Sequence, residues 1–408
     1  MDDKKAKENP APLEIRSPLE FDLFDSQGKL LYAAGTHLSP EQIAQISNRV
    51  RLLQNAAAST VPPPVSTFDP SQWQGDIDSI PEVDATAPYD SAAQARLKQR
   101  FEEASGLVED SVEMIRSKRD PNLDKINEVF DTYLKEMKAD PAVVLDSLQR
   151  QETGMTADQR LAKRSVKLSI LSTLIARTMQ VDVKRAKHVS LAGLFHDLAL
   201  YESLAEAFRG RVYRGTSSRE VYRNHPLHSA EILACMEALP PSVRILVTQV
   251  HEQIDGSGFP LGLLMAKQDP LSRILNLADA FITLTQVDDG NTMSEEIIGR
   301  SIAPADAMAY LLYHTREGHF DRQCMSALMS CSSMYPVGTQ VELDDMTTAT
   351  VLRSNREDVL NPVIRMDRSH EIVDLRHSPR RIMQPSIAND SLCVRLSADQ
   401  FRSVLWIN

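Results

Sequence analysis

Cysteine is scarce. The 408-residue chain has four, Cys235, Cys324, Cys331 and Cys393. None forms a C-x-x-C pair, which excludes a disulfide framework and a thiolate zinc site. No window reaches roughly 18 uninterrupted apolar residues, so no membrane-spanning helix is expected. The N-terminal Met1-Asp2-Asp3-Lys4-Lys5 is charged and no apolar run follows it, so no signal peptide is expected and the cytoplasm is the default location. Bases are outnumbered, with Lys+Arg 45 against Asp+Glu 56 and a net charge of -11. That balance excludes a general nucleic-acid binder, because phosphate binding is dominated by Lys and Arg. No internal repeat of roughly 20–50 residues is found, which excludes a solenoid.

What is present is 42% hydrophobic and 25% charged, ample for a buried core. The patterning predicts a mainly α chain with small β units at both ends. Residues 1–12 read as a disordered tail. Residues 13–54 read as a small β/α unit: Leu19–Phe24 alternates, Asp25-Ser26-Gln27-Gly28 turns, Leu30-Leu31-Tyr32 returns, and Ser39-Pro40 opens a helix to about Leu53. Residues 55–90 are proline-rich and aperiodic, the composition of a semi-stiff linker. Residues 91–154 read as a helical lead-in, and 155–335 as the main helical domain. Helices are expected at Ala92–Ser117, Leu123–Met137, Ala142–Arg150, Ala157–Thr178, Val183–Leu200, His225–Ala238, Ser242–Glu252, Leu271–Gln286 and Pro304–Thr315. Residues 336–408 read as a small β appendage and tail, with strands at Val337–Leu343, Thr348–Leu352, Val363–Met366 and Ile372–Leu375.

Chemistry concentrates at four places. His196-Asp197 closes an apolar helix, and an adjacent His and Asp can both reach one metal from a helix end. Taken alone, the pair also fits an ordinary surface dipeptide. Asp279 lies inside the apolar run Arg273–Phe281, where an unpaired carboxylate is costly to bury. A metal satisfies it, and so does an ion pair with an Arg or Lys from elsewhere. His225, next to Pro226, is expected at a helix start, where it serves equally as a cap. His251-Glu252 precedes Asp255-Gly256-Ser257-Gly258, whose glycines permit a sharp turn or close approach to a ligand.

Taken together, these residues resemble the HD-GYP family, bacterial cyclic di-GMP phosphodiesterases within the HD metal-hydrolase superfamily. The resemblance spans roughly 155–345. It rests on His196-Asp197, on His225-Pro226, on His251-Glu252 through Pro260, and on Arg273 through Thr285. It implies an HD-type α-helical bundle holding a two- or three-metal cluster, usually iron or manganese. By position, Asp197 is the bridging catalytic residue, His196 and Asp279 serve one metal, and His225 and His251 the other.

The departures are specific. Val250 stands where the family has the first His of a His-His pair. No His occurs in the 157–178 helix, and Arg164 stands near the family's upstream position, where its cation is suited to pair with Asp197 or Asp279. Leu200 replaces the proton-donating Lys of HD-x-G-K. Phe259 replaces the signature Tyr. Asp288-Asp289-Gly290-Asn291 replaces a basic stretch, and its acids repel a phosphodiester. The resemblance therefore implies a cyclic di-GMP signalling protein on a metal-dependent phosphodiesterase scaffold with a depleted site and weak or absent hydrolysis. The alternatives are a non-catalytic regulator docking protein partners in signalling, and an HD-type hydrolase of another phosphorylated substrate.

Overall fold

The computed structural model describes residues 23–24, 30–32, 87, 89–148, 155–201, 218–286, 301–355, 358–385 and 393–394. The chain divides into two compact units, Met1–Pro63 and Pro64–Asn408. In the first, β1 (Leu23–Phe24) pairs antiparallel with β2 (Leu30–Tyr32), Leu23 opposite Tyr32. This is the hairpin the alternation and turn chemistry predict. The helix expected from Ser39 and most of the linker lie outside the described residues.

The second unit is helical from α1 (Ser91–Arg116) through α2 (Leu123–Ala139) and α3 (Pro141–Leu148) to α4 (Ala157–Thr178) and α5 (Val183–Phe195). It continues through α6 (Ser218–Leu233), α7 (Pro241–Thr248), α8 (Pro270–Thr285), α9 (Pro304–Arg316) and α10 (Arg322–Ser332). Asp90 caps α1, and Leu97, Phe101, Ala104, Val108, Val112 and Ile115 form its buried stripe. α4 starts with a reciprocal capping box between Thr156 and Gln159. From Val166 to Ala176 almost every side chain of α4 is buried, Leu168, Leu174 and Ile175 completely, so it is the central helix. α8 is likewise enclosed along its length, with Asp269 as cap and Pro270 in its first turn.

One glycine decides how α4 and α5 meet. A Cβ on Gly193 would lie 2.9 Å from the Ser169 backbone, so no other residue lets α5 come this close. The same crossing is stitched by a 2.7 Å contact between the Ser169 and Ser190 hydroxyls. The close approach carries the C-terminal end of α5, with His196-Asp197, against α4 and Arg164.

Three of the boundaries that move bear on the site. α5 ends at Phe195 rather than Leu200, and a separate 3-10 turn covers Leu198–Leu200. α7 ends at Thr248, leaving His251 on the following turn. α6 begins at Ser218, so His225 sits inside the helix and not at its start. Proline normally marks a helix boundary because it lacks an N–H. Here Pro226 is tolerated because the carbonyl it leaves without an amide, that of Tyr222, accepts instead from the His225 ring at 2.6 Å.

The C-terminal appendage is a five-stranded antiparallel sheet in the order β7-β6-β5-β4-β8. Its strands are β4 (Gln340–Leu343), β5 (Thr348–Arg353), β6 (Val363–Met366), β7 (Ile372–Asp374) and β8 (Ile382–Pro385). The patterning did not single out β8. Val341, Leu343, Ala349, Val351, Ile364, Met366 and Leu375 make its core. A register shift between Val351 and Arg353 turns Arg353 inward, where it bonds Asp140 and the Ala87 carbonyl, each at 2.6 Å. The Tyr89 hydroxyl donates to the Leu352 carbonyl nearby. β3 (Ser301–Ile302) pairs in parallel with β9 (Cys393–Val394).

Candidate metal centre

Five elements converge on one buried cluster: α4 brings Arg164, the end of α5 brings His196 and Asp197, α6 brings His225, the turn after α7 brings His251, and α8 brings Asp279. The sequence singled out all six residues, and the structure brings all six together.

Arg164 is the keystone. Its Nη1 donates to Asp197 Oδ2 at 2.8 Å. Its Nη2 donates to Asp279 Oδ1 at 2.5 Å and to the Thr283 hydroxyl at 2.8 Å. The cation thus pairs with both candidate carboxylates at once. Thr283 was not anticipated, although it lies one turn beyond Asp279 on the same face of α8.

The imidazoles are oriented by backbone carbonyls. His196 Nδ1 lies 2.8 Å from the Gly193 carbonyl, and His225 Nδ1 lies 2.6 Å from the Tyr222 carbonyl. A carbonyl can only accept, so each Nδ1 carries a proton and each ring turns its Nε2 into the cluster. Both Nε2 atoms meet carboxylate oxygens. His196 Nε2 is 3.0 Å from Asp197 Oδ2, and His225 Nε2 is 3.2 Å from Asp197 Oδ1. His196 Nε2 and Asp197 Oδ1 are both buried and make no hydrogen bond.

His251 does not resolve the excess. Its Nε2 is 3.1 Å from His225 Nε2, and its Nδ1 is 3.3 Å from Asp279 Oδ2. One proton can satisfy only one of these contacts, so two unshared pairs face each other at the second. Double protonation is disfavoured, because burial first and His225 next hold the His251 imidazole well below its ordinary value. Burial on its own raises the Asp197 carboxyl, but the adjoining His196 and the Arg164 guanidinium outweigh it and hold Asp197 well below the carboxylate range.

Converging imidazole nitrogens and carboxylate oxygens are the ligand set of a cation site. Asp197, His225 and His251 each offer a ligand atom, all within 4.8 Å of one another. With ligand bonds of about 2.1 Å, nitrogens about 90–110° apart on one ion stand roughly 3.0–3.4 Å from each other, and the His225–His251 separation of 3.1 Å falls in that range. The residues therefore fit a metal ion on this side of the cluster. On the other side, His196 and Asp279 share their space with the Arg164 guanidinium.

The residues marked as departures have clear places. Val250 is fully buried within the hydrophobic core. Its carbonyl accepts from Asn276. Leu200 ends the 3-10 turn. Phe259 stacks on His251, ring centres 4.7 Å apart and planes 24° apart. A Cβ on Gly258 would lie 2.2 Å from the Gln253 nitrogen, so the signature turn folds onto the His251-Glu252 backbone only with glycine there. Glu252 fastens the turn, accepting from the amides of Leu261 at 2.6 Å and Leu263 at 2.7 Å. Asp288-Asp289-Gly290-Asn291 lies outside the described residues.

The HD domain family matches residues 153–324. Over these residues the chain is similar to HD domains of the HD-GYP type. Over 212 residues the chain is 25% identical to the cyclic di-GMP phosphodiesterase PA4108 of Pseudomonas aeruginosa, covering 52% of this chain and 49% of that protein. Over 137 residues it is 28% identical to the 3'3'-cGAMP-specific phosphodiesterase 1 of Vibrio cholerae, covering 30% of this chain and 28% of that protein. The chain thus spans about half the length of one relative and under a third of the other. Among solved structures, Bd1817, an HDG"Y"P protein from Bdellovibrio bacteriovorus, covers 78% of this chain and 95% of its own at 18% identity, with a TM-score of 0.43. All six cluster residues fall inside the matched HD domain. No described helix is long and apolar enough to cross a membrane.

Proposed function

We propose that this HD domain is a cyclic-dinucleotide phosphodiesterase site reduced to a single divalent ion, iron or manganese, with weak or absent hydrolysis of cyclic di-GMP. One observation carries the reading: Arg164 bonds both Asp197 and Asp279 while Asp197, His225 and His251 converge with unshared pairs facing inward. Charge supports it. Two carboxylates and one guanidinium leave these three groups with a single net negative charge, which favours a cation beside them.

Asp197, His225 and His251 would hold that ion. When bound, it supplies Lewis acidity toward a phosphodiester oxygen and lowers the pKa of a water. The chain's own residues limit the rest. Arg164 occupies the space that His196 and Asp279 would otherwise offer a second ion. Leu200 cannot protonate a leaving oxygen, and losing a general acid costs about 10²–10⁴-fold in rate. Tyr222 and Gly193 carbonyls still fix the two imidazoles, so binding is retained where turnover is not.

The test is elemental analysis of anaerobically purified wild type, Asp197→Ala and Arg164→His, followed by release of pGpG or GMP from cyclic di-GMP. About one ion in wild type, none in Asp197→Ala and about two with faster hydrolysis in Arg164→His is the expected pattern. Two ions and enzyme-like turnover in wild type would show an intact site. No metal in wild type or in Arg164→His would leave the scaffold as a non-catalytic module for protein partners.

A further inference from the structure

α8 is enclosed among apolar side chains, yet Ser272, Asn276, Asp279 and Thr283 recur along it. Steps of four, three and four residues put them on one face of the helix. The first three meet, in chain order, the residues that follow α7. The Ser272 hydroxyl donates to Gln249 Oε1 at 3.1 Å. Asn276 Nδ2 donates to the Val250 carbonyl at 3.1 Å. Asp279 Oδ2 lies 3.3 Å from His251 Nδ1. Thr283 accepts from Arg164 at the far end of the stripe.

The metal cluster accounts for Asp279 and Thr283 but not for Asn276. α7 ends at Thr248. In a continued helix the Val250 carbonyl would accept the Ile254 amide. That amide goes to the His319 carbonyl instead, at 3.1 Å. A buried carbonyl left without a donor is costly. The buried Asn276 side chain supplies the donor, and only its Nδ2 can, since a carbonyl cannot donate back.

The bond bears on His251 through the peptide unit. The Val250 carbonyl and the His251 N–H share one rigid plane. Holding that carbonyl therefore sets the direction in which the chain enters His251. On the other side, the His251 carbonyl accepts the Phe259 amide at 3.1 Å. With both flanking peptides held, the imidazole is left only its side-chain torsions, and Phe259 stacks on the ring.

We infer that Asn276 is a positioning residue for the metal site: its amide, bonded to the Val250 carbonyl, holds His251 where the imidazole joins His225 and Asp197 on one ion. This rests on the proposed function and adds a requirement to it. α8 serves His251 twice, through its backbone from Asn276 and through its side chain from Asp279 one turn on. Without the amide, the peptide turns toward another donor and the ion keeps only His225 and Asp197.

The experiment is manganese titration of the full chain, with pulsed electron paramagnetic resonance counting the imidazole nitrogens on the ion. Asn276→Leu keeps a similar volume without the donor, and Asn276→Ala removes the donor without adding bulk. Ser272→Ala takes a hydroxyl from the same face and leaves the Val250 carbonyl bonded. Thermal unfolding is recorded for each. Manganese affinity is expected to fall about 10–100-fold in both Asn276 variants. The imidazole count is expected to fall from two, His225 and His251, to one. Ser272→Ala is expected to keep both imidazoles and an affinity within about twofold of wild type. Two imidazoles and an affinity within about twofold of wild type in the Asn276 variants overturn the inference and leave the proposed function standing. A weaker affinity with both imidazoles still bound also overturns it, because His251 then needs no help to reach the ion. So does an equal loss in Ser272→Ala, which would reflect general loosening of α8. Wild type that binds no manganese, or binds it without imidazole, removes the proposed function and this inference with it.

Discussion

Replacing Arg164 with alanine tests the cluster most directly. Asp197 has no exposed side-chain surface and Asp279 only 7%, and both are bonded to the guanidinium. Without it the metal-free chain holds two buried carboxylates whose remaining close neighbours are imidazoles. Breaking a buried ion pair by removing one partner costs about 3–5 kcal/mol, because an uncompensated charge stays buried. For a unit as large as Pro64–Asn408 each kcal/mol lowers the melting temperature by about 1–2 °C, so chelator-treated Arg164→Ala is expected to melt roughly 3–10 °C below wild type. The second half of the prediction concerns rescue. A divalent cation can take the place that the guanidinium leaves between Asp197 and Asp279. Manganese at a hundred times its dissociation constant adds about 2.7 kcal/mol per site, so it should recover much of the deficit. Differential scanning calorimetry of both proteins, with chelator and with manganese, reads both halves. Equal melting temperatures under chelator, or equal manganese shifts in the two proteins, would refute the reasoning.

Pro226→Ala returns an amide to compete for the Tyr222 carbonyl and frees the His225 ring. Manganese affinity is expected to fall about 10–100-fold while helix stability holds or rises, read by metal titration and thermal melts. Gly193→Ala forces a methyl into the Ser169 backbone at 2.9 Å. A loss of about 1–3 kcal/mol in urea unfolding is expected, with weaker metal binding because the end of α5 is displaced from Arg164. The imidazoles of His188 and His251 are both held below 6.5, by burial first, then by Lys184 for His188 and by His225 for His251. Both are neutral when folded and take a proton on unfolding, so the stability of the metal-free chain should fall as pH drops below 6.5. The slope is at most about 1.4 kcal/mol per pH unit for each imidazole. His188→Gln should remove part of that slope, and unchanged slopes in melts across this range would contradict the assignment.

The sequence by itself determined the mainly helical character of the described residues between 91 and 332 and pointed to the cluster residues. Helical periodicity follows from local burial, so α4 is legible over Ala157–Thr178 in full, because a capping box marks its start. The cluster is legible for a different reason: His196-Asp197, His225-Pro226, the His251–Pro260 turn and Asp279 are each short local patterns. The tertiary structure decided the rest. Whether Asp279 meets a metal or an arginine depends on how α4 lies against α8, and no local pattern encodes that distance. The helix around Pro226 defied the rule that proline ends helices, because the carbonyl it strands finds a side-chain donor one residue before it. The strand β8 pairs with β4 across a long stretch of chain, a contact with no local periodicity behind it. The Arg223 guanidinium meets the Phe259 ring from a different segment, a contact with no local pattern behind it. Sequence names the groups that a local pattern requires. Only packing decides which of them share a charge.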